Sequence, residues 1–334
     1  MRAVRVHTFG GPEVLRLEEV ADPRPPGEGE VLVRLHAAGV NPVETYVRSG
    51  QYAALPALPY TPGNDGAGVV EAVGAARSDG AARAGGAGQS PAPAVGDRVY
   101  TSGSLTGTYA AAALCPAGHV HPLPAATSFA AGAALGVPYA TAYRALFQRG
   151  QARTGDLVLI HGASGGVGLA AVQFAAAAGL TVHGTAGSAA GRDLVTAQGA
   201  AGVADHGAPG YAEELLALTG GRGYDVIVEM AAHAGLADDL GLLARGGRVV
   251  VVGSRGPAEI APRDLMSRDA DVRGMLLFIA APHELAEAYT AIGAGLESGT
   301  LHPVIARELP LEKASSAHRE IMAGPALGKL VLVP

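Results

Sequence analysis

A single cysteine, Cys115, stands in a chain of 334 residues, which excludes an intrachain disulfide and a four-cysteine zinc lobe. Tryptophan is missing altogether, and five phenylalanines and ten tyrosines are the whole aromatic supply. The cores must therefore be built from Ala, Val and Leu. Charge is sparse: 24 Lys and Arg stand against 30 Asp and Glu, a formal net charge of −6. No basic cluster forms a stripe suited to a phosphate backbone, which argues against nucleic acid as a partner. No apolar run is long enough to span a bilayer. The opening Met1-Arg-Ala-Val-Arg-Val-His alternates like an edge strand and lacks the apolar core of a signal peptide, so the expected setting is the cytoplasm, away from membranes. What remains is an apolar fraction of 49% with 16% charged residues, the composition of a globular enzyme long enough for two full cores.

The most informative stretch is Leu157-Val-Leu-Ile-His-Gly-Ala-Ser-Gly-Gly-Val-Gly168, an apolar run that stops at small residues and then turns helical. Val158, Leu159 and Ile160 read as a buried strand, and Leu169, Ala170, Val172, Gln173 and Phe174 as the start of a helix. In the G-x-G-x-x-G frame the small positions are Ala163, Gly165 and Gly168, with Ala in place of the first glycine. Such a turn lets backbone N–H groups at a helix start hold a pyrophosphate without a basic side chain. Forty-nine glycines make the motif alone weak evidence. Its context is stronger, because strand-like runs at Thr181–Gly187, Gly202–His206, Tyr224–Met230, Gly247–Gly253 and Asp271–Phe278 alternate with helical ones. With the first strand these make six, the number expected of a doubly wound parallel Rossmann sheet in an α/β fold.

Residues 1 to 127 do not alternate in this way. They read as short strands, Arg2–His7, Val14–Glu18, Glu30–Ala38, Gly66–Val73, Asp97–Ser102 and Tyr109–Leu114, in an irregular β-rich domain. The Gly, Ala, Pro and Ser-rich segment Ala75–Ala94 reads as an exposed, mobile loop. Ser128–Gln148 is helical by composition with Pro138 breaking it, Pro282–Leu296 is an amphipathic helix, and Leu327–Val333 is a last strand. The tail is expected to return to the first domain.

Five separate words carry a family resemblance: Ala38-Gly-Val-Asn-Pro-Val-Glu-Thr-Tyr46, Pro59-Tyr-Thr-Pro-Gly-Asn-Asp65, Gly96-Asp-Arg-Val99, Gly136-Val-Pro-Tyr-Ala-Thr-Ala-Tyr-Arg144 and His161-Gly-Ala-Ser-Gly-Gly-Val-Gly168. Over nearly its whole length the chain resembles the medium-chain dehydrogenase/reductase (MDR) superfamily, and within it the zeta-crystallin-like NADPH:quinone oxidoreductases. The signature of that branch expects Gln173, which is present, and Lys, Arg or Ser where this chain has Ala176. The Ala75–Ala94 segment is also longer than the family leads one to expect. The resemblance implies a GroES-like catalytic domain over 1–127 and 281–334 and a Rossmann NADPH-binding domain over 128–280. It implies hydride transfer from NADPH to a quinone in the cleft between them.

Metal is not expected. Where alcohol dehydrogenases of the superfamily place Cys and then Gly-His-Glu, this chain has Asn41 and Gly63-Asn64-Asp65. Only His119 and His121 lie close together among eleven histidines, and their spacing reads as a satisfied surface pair on a strand. An acceptor reduced without a Lewis acid must itself be electrophilic, as a quinone or an activated C=C bond is.

The cofactor choice rests on a missing acid. An NAD-selective Rossmann domain presents Asp or Glu about 20 residues past the loop. Here the second strand ends Thr185-Ala-Gly-Ser188, with no acid before Asp193. Gly187 and Ser188 leave room and a donor for a 2′-phosphate, and Arg192 lies one turn on, unless it merely solvates a helix face. The resemblance adds Lys329 as a second phosphate contact. It also places Ser164, Gly165, Gly166 and Val167 at the pyrophosphate, His206 beside the adenine, and Val252, Gly253, Ser254 and Arg255 along the cofactor. Arg255 reads equally well as an exposed turn residue.

For catalysis the resemblance puts Asn41 and Tyr46 near the nicotinamide and Tyr52 on the pocket wall. From the residues alone, Asn41-Pro42 is a turn-starting dipeptide and both tyrosines could be packing. A phenol suits the site because it can donate to a developing hydroxyquinolate, though water could equally bring the proton. Cys115, followed by Pro116, reads as structural. Two other functions stay open: an NADPH-dependent enone or 2-enoyl-thioester reductase, and a non-catalytic NADPH-binding structural or RNA-binding protein. The family also implies a homodimer or homotetramer, built through Val272, Met275, Leu276 and Leu277 near the last strand of the nucleotide domain.

Overall fold

The computed structural model describes residues 1–75, 92–324 and 327–334. Most of the segment read as a mobile loop, residues 76–91, lies outside the described residues. The chain forms two compact units. One comprises Met1–Val137, Tyr289–Gly324 and Lys329–Pro334, and the other is built on Pro138–Ala288. They part at Val137/Pro138 and Ala288/Tyr289, where the sequence reading puts the divisions at 127/128 and 280/281.

In the first unit β1 (Arg2–Arg5) and β2 (Arg16–Glu19) pair antiparallel. β3 (Glu30–Gly39) alternates as a half-buried strand must: Val31, Val33 and Leu35 face a core shared with Val70, Val99 and Cys115, while Arg34 and His36 are exposed. After β3 comes a helix that the strand pattern did not predict, α1 (Pro42–Ser49). Its sequence encodes it: Asn41 is the N-cap, Pro42 opens the first turn, Glu44 accepts from the Asn41 backbone N–H at 2.8 Å, and Gly50 closes the helix at φ 79°. β4 (Asp65–Val73), β5 (Arg98–Ser102), β6 (Ala112–Pro116) and β7 (Val120–Pro122) follow. The expected strand Tyr109–Leu114 is thus shifted, because the Thr108 and Tyr109 N–H groups are taken by Gly63 and Pro62 carbonyls in a turn.

The long helix expected over Ser128–Gln148 is three pieces: α2 (Phe129–Gly132), α3 (Gly136–Tyr143) and a π turn over Arg144–Arg149. The break falls at 133–135, and Pro138 sits in the first turn of α3, where a missing N–H costs nothing.

The second unit alternates strand and helix: β8 (Leu157–Ile160), α4 (Gly166–Ala177), β9 (Thr181–Thr185), α5 (Ala189–Ala197), β10 (Gly202–Ala204), α6 (Tyr211–Leu218), β11 (Tyr224–Glu229), α7 (Ala232–Leu242), β12 (Leu243–Val251), α8 (Pro262–Met266) and β13 (Asp271–Gly274). These six strands are all parallel, in the order β10-β9-β8-β11-β12-β13. The strand order reverses between β8 and β11, where ligands bind in such sheets. Leu159, Leu215, Ile227, Leu240 and Val249 lie in its core, and Tyr224 is the one aromatic among that core's buried residues.

α9 (Pro282–Ser298) then leads to β14 (Ile305–Pro310), α10 (Ala314–Ala323) and β15 (Lys329–Val333). The tail does return: the sheet of the first unit runs β14-β15-β3-β4-β5-β7, with β6 also on β3. No helix among the described residues is long and apolar enough to cross a membrane.

Candidate functional site

In the second unit β8 ends at Ile160 and the backbone turns through Gly162 at φ 57°. Ala163 is fully buried, donates to Thr185 O at 2.8 Å, and its methyl lies over Gly184, where a Cβ would come within 2.9 Å of it. Alanine therefore fills the first small position because β9 offers a glycine opposite. Gly165 caps α4, leaving the N–H groups of Gly166, Val167 and Gly168 without intrahelical acceptors at the positive end of the helix. A Cβ on Gly168 would stand 2.5 Å from Gly162 O and 2.6 Å from Ala163 Cα, so the third position accepts only glycine. Ser164 is buried, and its carbonyl accepts from Gly328 at 2.9 Å.

At the carboxyl ends of β9 and β10 the structure brings together Gly187, Ser188, Arg192 and His206. A Cβ on Gly187 would lie 2.9 Å from His206 Nε2, and Ser188 Oγ accepts from Gly191 N at 3.1 Å, which leaves its own hydroxyl proton free to donate. Arg192 is not the unpaired cation the sequence suggested. Its Nη1 donates to Asp205 Oδ2 at 2.6 Å. No acid precedes Asp193 along the sequence, but Asp205 enters from the end of the next strand, a juxtaposition that the parallel pairing of β9 with β10 creates.

Val252 and Gly253 donate to Glu229 O at 2.8 and 3.4 Å, and a Cβ on Gly253 would meet Met230 O at 2.4 Å, so these two residues lie hard against the end of β11. Ser254 and Arg255 are exposed, with Ser254 Oγ donating to Gly256 O and Arg255 N to His233 Nδ1. Beneath this turn lies a group the sequence reading missed: His161, Glu229 and Asp239, all buried. His161 Nε2 is 2.8 Å from Asp239 Oδ1 and 4.0 Å from Glu229 Oε2, and its Nδ1 is 3.1 Å from Thr185 Oγ1. Burial, opposed by the His161 charge, pushes the Glu229 carboxyl up to about 7. Three titratable residues at positions 161, 229 and 239 share no spacing that betrays them.

In the first unit Asn41 is 2% exposed, and its side chain is committed within the protein. Nδ2 donates to Asp65 Oδ2 at 2.9 Å and Glu44 Oε1 at 3.2 Å, and Oδ1 accepts from Lys329 Nζ. Lys329 also reaches Asp65 Oδ2 at 3.4 Å. The structure therefore gives this lysine, proposed as a phosphate contact, a different set of partners. Glu44 further accepts from Asn64 N and from Tyr109 OH at 2.7 Å, and Tyr109 OH is 3.1 Å from His318 Nε2. Burial pushes the Asp65 and Glu44 carboxyls up and the Lys329 ammonium down, while the attraction between opposite charges works against both shifts. Tyr46, on α1, and Tyr52, just past it, are half-buried, and their phenols make no hydrogen bond to another described residue. Burial pushes the Tyr52 phenol up.

The pair read as surface histidines divides. His119 is exposed in a turn, whereas His121 on β7 is half-buried, 2.9 Å from Ser102 Oγ and stacked on Tyr289 with centroids 4.1 Å apart. Burial, then the nearby His119, takes His121 down to about 3. Cys115 is buried and its thiol is pushed up to about 12, which suits packing and not nucleophilic attack.

Residues 27–125 match the family model of the alcohol dehydrogenase GroES-like domain, and residues 166–292 that of zinc-binding dehydrogenase. The chain is 48% identical to a human quinone oxidoreductase, over all of this chain and 98% of the relative. Among solved structures, an Escherichia coli quinone oxidoreductase complexed with NADPH superposes with TM-score 0.85 at 30% identity, covering 100% of both chains. An NAD-dependent alcohol dehydrogenase superposes at 0.88 with 30% identity, again over 100% of both. The zinc of the second family model finds poor ligands at Asn41, Asn64 and Asp65. Two of these are amides, and the one carboxylate is already held by an ammonium.

Proposed function

The chain belongs to the quinone oxidoreductase family of the medium-chain dehydrogenases/reductases, and from that membership we propose that it reduces quinones with NADPH, without a metal. The observation that carries this reading is the kinship along the full length of both chains to an enzyme of that name. The nucleotide unit fits the cofactor on its own terms. At Gly168, Gly187 and Gly253 a Cβ would collide with neighbouring protein atoms, so the turns at the ends of the strands stay tight, and the first N–H groups of α4 are unclaimed by the helix.

NADPH, when bound, supplies a hydride. The protein's own part is positional: the loop from Gly162 to Gly168 and the start of α4 hold the pyrophosphate, and Ser188 and Arg192 serve the 2′-phosphate. Fixing two reactants in place is worth roughly 7–11 kcal/mol at best, so no acid, base or metal is required for most of the rate. Tyr46 and Tyr52 offer half-buried phenols, and they are the groups that would donate to an acceptor oxygen as it gains charge. Asn41 acts indirectly, since both of its amide protons are spent on carboxylates.

The acceptor class is checked by following NADPH oxidation with a panel of 1,4-quinones beside 2-enoyl thioesters. Quinones should be turned over; oxidation with thioesters alone would defeat the reading. Cofactor choice is checked by Ser188→Asp, which puts a carboxylate against the 2′-phosphate. NADPH selectivity over NADH should fall about tenfold or more, a like-charge effect of at least ~1.4 kcal/mol.

We also assign the enzyme to the cytoplasm as a homodimer or homotetramer. A lone cysteine, free and buried, suits the first part. The second is supported by the free edge of β13, where Val272, Leu276, Phe278 and Ile279 are exposed. Leu277, expected at that edge, instead turns into the core and is 7% exposed.

A further inference from the structure

We propose that Lys329 is a positioning residue of the quinone reaction and not a ligand of the cofactor's phosphate: its buried ammonium locks the Asn41 amide, and with it the start of α1 that carries Tyr46. The inference rests on the quinone-reductase reading above. Lys329 is 4% exposed and its Nζ is bonded to Asn41 Oδ1 and Asp65 Oδ2.

The lock follows from the donor and acceptor count. Glu44 and Asp65 are acceptors on one side of the Asn41 amide and claim both Nδ2 protons. Its oxygen must then face donors, and Lys329 Nζ is the side-chain donor bonded to it. Among the described residues, the same ammonium is the only cation bonded to either buried carboxylate. Remove it, and Oδ1 loses its charged partner while two carboxyls lose their counter-charge. The first turn of α1, which hangs on the Asn41 N–H to Glu44 bond of 2.8 Å, would lose its fixed geometry.

The path of the side chain is built for this purpose. β15 sits between β14 and β3: the Lys329 backbone is held by β14, its N–H donating to Val304 O at 2.9 Å, and the next residue, Leu330, accepts from Val40 N at 3.0 Å. Its stem crosses Gly39 of β3, where a Cβ would come within 3.0 Å of Lys329 Cε, 3.1 Å of Asp65 Cβ and 2.0 Å of Ala133 O. Glycine at 39 is what lets the lysine through.

The test uses the full chain with NADPH and a 1,4-quinone, comparing K329M, K329R and the charge-balanced double variant K329M/D65N. Three quantities are read: NADPH Kd by fluorescence titration, the NADPH to NADH preference, and kcat apart from KM. We expect K329M to lose about tenfold or more in kcat, the scale of a misplaced reacting group. NADPH Kd and the cofactor preference should stay within about twofold, a difference under ~0.5 kcal/mol. K329R should recover part of kcat, because it restores the charge and a donor to Asn41. The double variant, which removes one charge of each sign and so leaves the net charge of the cluster unchanged, should remain slow.

A tenfold weakening of NADPH binding in K329M with kcat retained would overturn the inference and make Lys329 a cofactor ligand. Undiminished kcat in the double variant would overturn it as well, and that variant decides the matter if K329M does not fold. Should the unaltered enzyme turn over no quinone, the functional reading fails instead. Lys329 is then judged by NADPH Kd alone, and a weakened Kd in the double variant refutes the proposal.

Discussion

Gly168 is the residue on which the nucleotide loop depends most directly. A methyl group there would press on Gly162 O at 2.5 Å and Ala163 Cα at 2.6 Å, both backbone atoms that cannot swing away. Gly168→Ala should therefore cost about 1–3 kcal/mol of stability by overpacking. It should also weaken NADPH binding about tenfold, since relief requires α4 to move off the loop; thermal melting and fluorescence titration measure the two effects. Asp205 offers the opposite experiment. Its carboxylate holds Arg192 at 2.6 Å on a partly exposed surface, where such a pair is worth little. Asp205→Asn should release the guanidinium and raise the preference for NADPH over NADH by about two- to fivefold in competing kcat/KM measurements; an unchanged preference would take Arg192 out of the phosphate site. The loop glycines were legible because their spacing is local. Asp205 beside Arg192, and Lys329 beside Asn41, were not, because they are brought together by strand pairing across 13 and 288 residues.

Elements were readable in proportion to the regularity of their burial. The six strands of the parallel sheet are apolar runs at steady intervals, and each was found with its end displaced by a few residues at most, save β12, which begins earlier, and β13, which stops at Gly274. α1 was missed because Asn41-Pro42 was weighed as a turn dipeptide. The N-x-x-E frame with Pro at the first helical position and Gly50 past the end was there to be read as a capped helix. The cluster at the end of β11 also belongs to this scale, since it ties β8, β11 and α7 together. Glu229 is raised from its ordinary range to about 7, and His161 is raised as well by Asp239 and Glu229, which outweigh its burial. A carboxyl with a raised pKa binds more protons folded than unfolded, so its contribution is present at low pH and fades as pH climbs from about 4.5 to 7. The His161 contribution has the same sign, because it too is lost as pH rises through its folded pKa. Stability should therefore fall by roughly 1–3 kcal/mol between pH 5 and 8, a slope that Glu229→Gln should flatten. Melting temperatures across that range decide it, and a rising or flat profile in the unaltered protein would contradict the assignment.

At the scale of the whole molecule the open question is how β13 avoids being an unprotected edge. A parallel sheet is normally covered and its edges blunted by charge, proline or a short final strand. β13 is short, and Asp271 and Arg273 pair with each other at 2.6 Å along it. The stretch that follows does the reverse, leaving Leu276 at 43%, Phe278 at 49% and Ile279 at 74% exposed within four residues. With only five phenylalanines in the chain, one left half in water beside Leu276 and Ile279 makes an apolar patch that calls for a cover. A second copy brought up by a two-fold axis would set the same three side chains against their own images, the self-complementary arrangement most homodimers adopt. A charge introduced there would be buried twice per interface. Ile279→Asp combined with Phe278→Asp should accordingly shift the protein to monomer in analytical ultracentrifugation, weakening association by at least about 4 kcal/mol, or a thousandfold. Quinone turnover per chain should persist if each copy carries its own site, whereas dimers that survive the double substitution would move the interface away from β13.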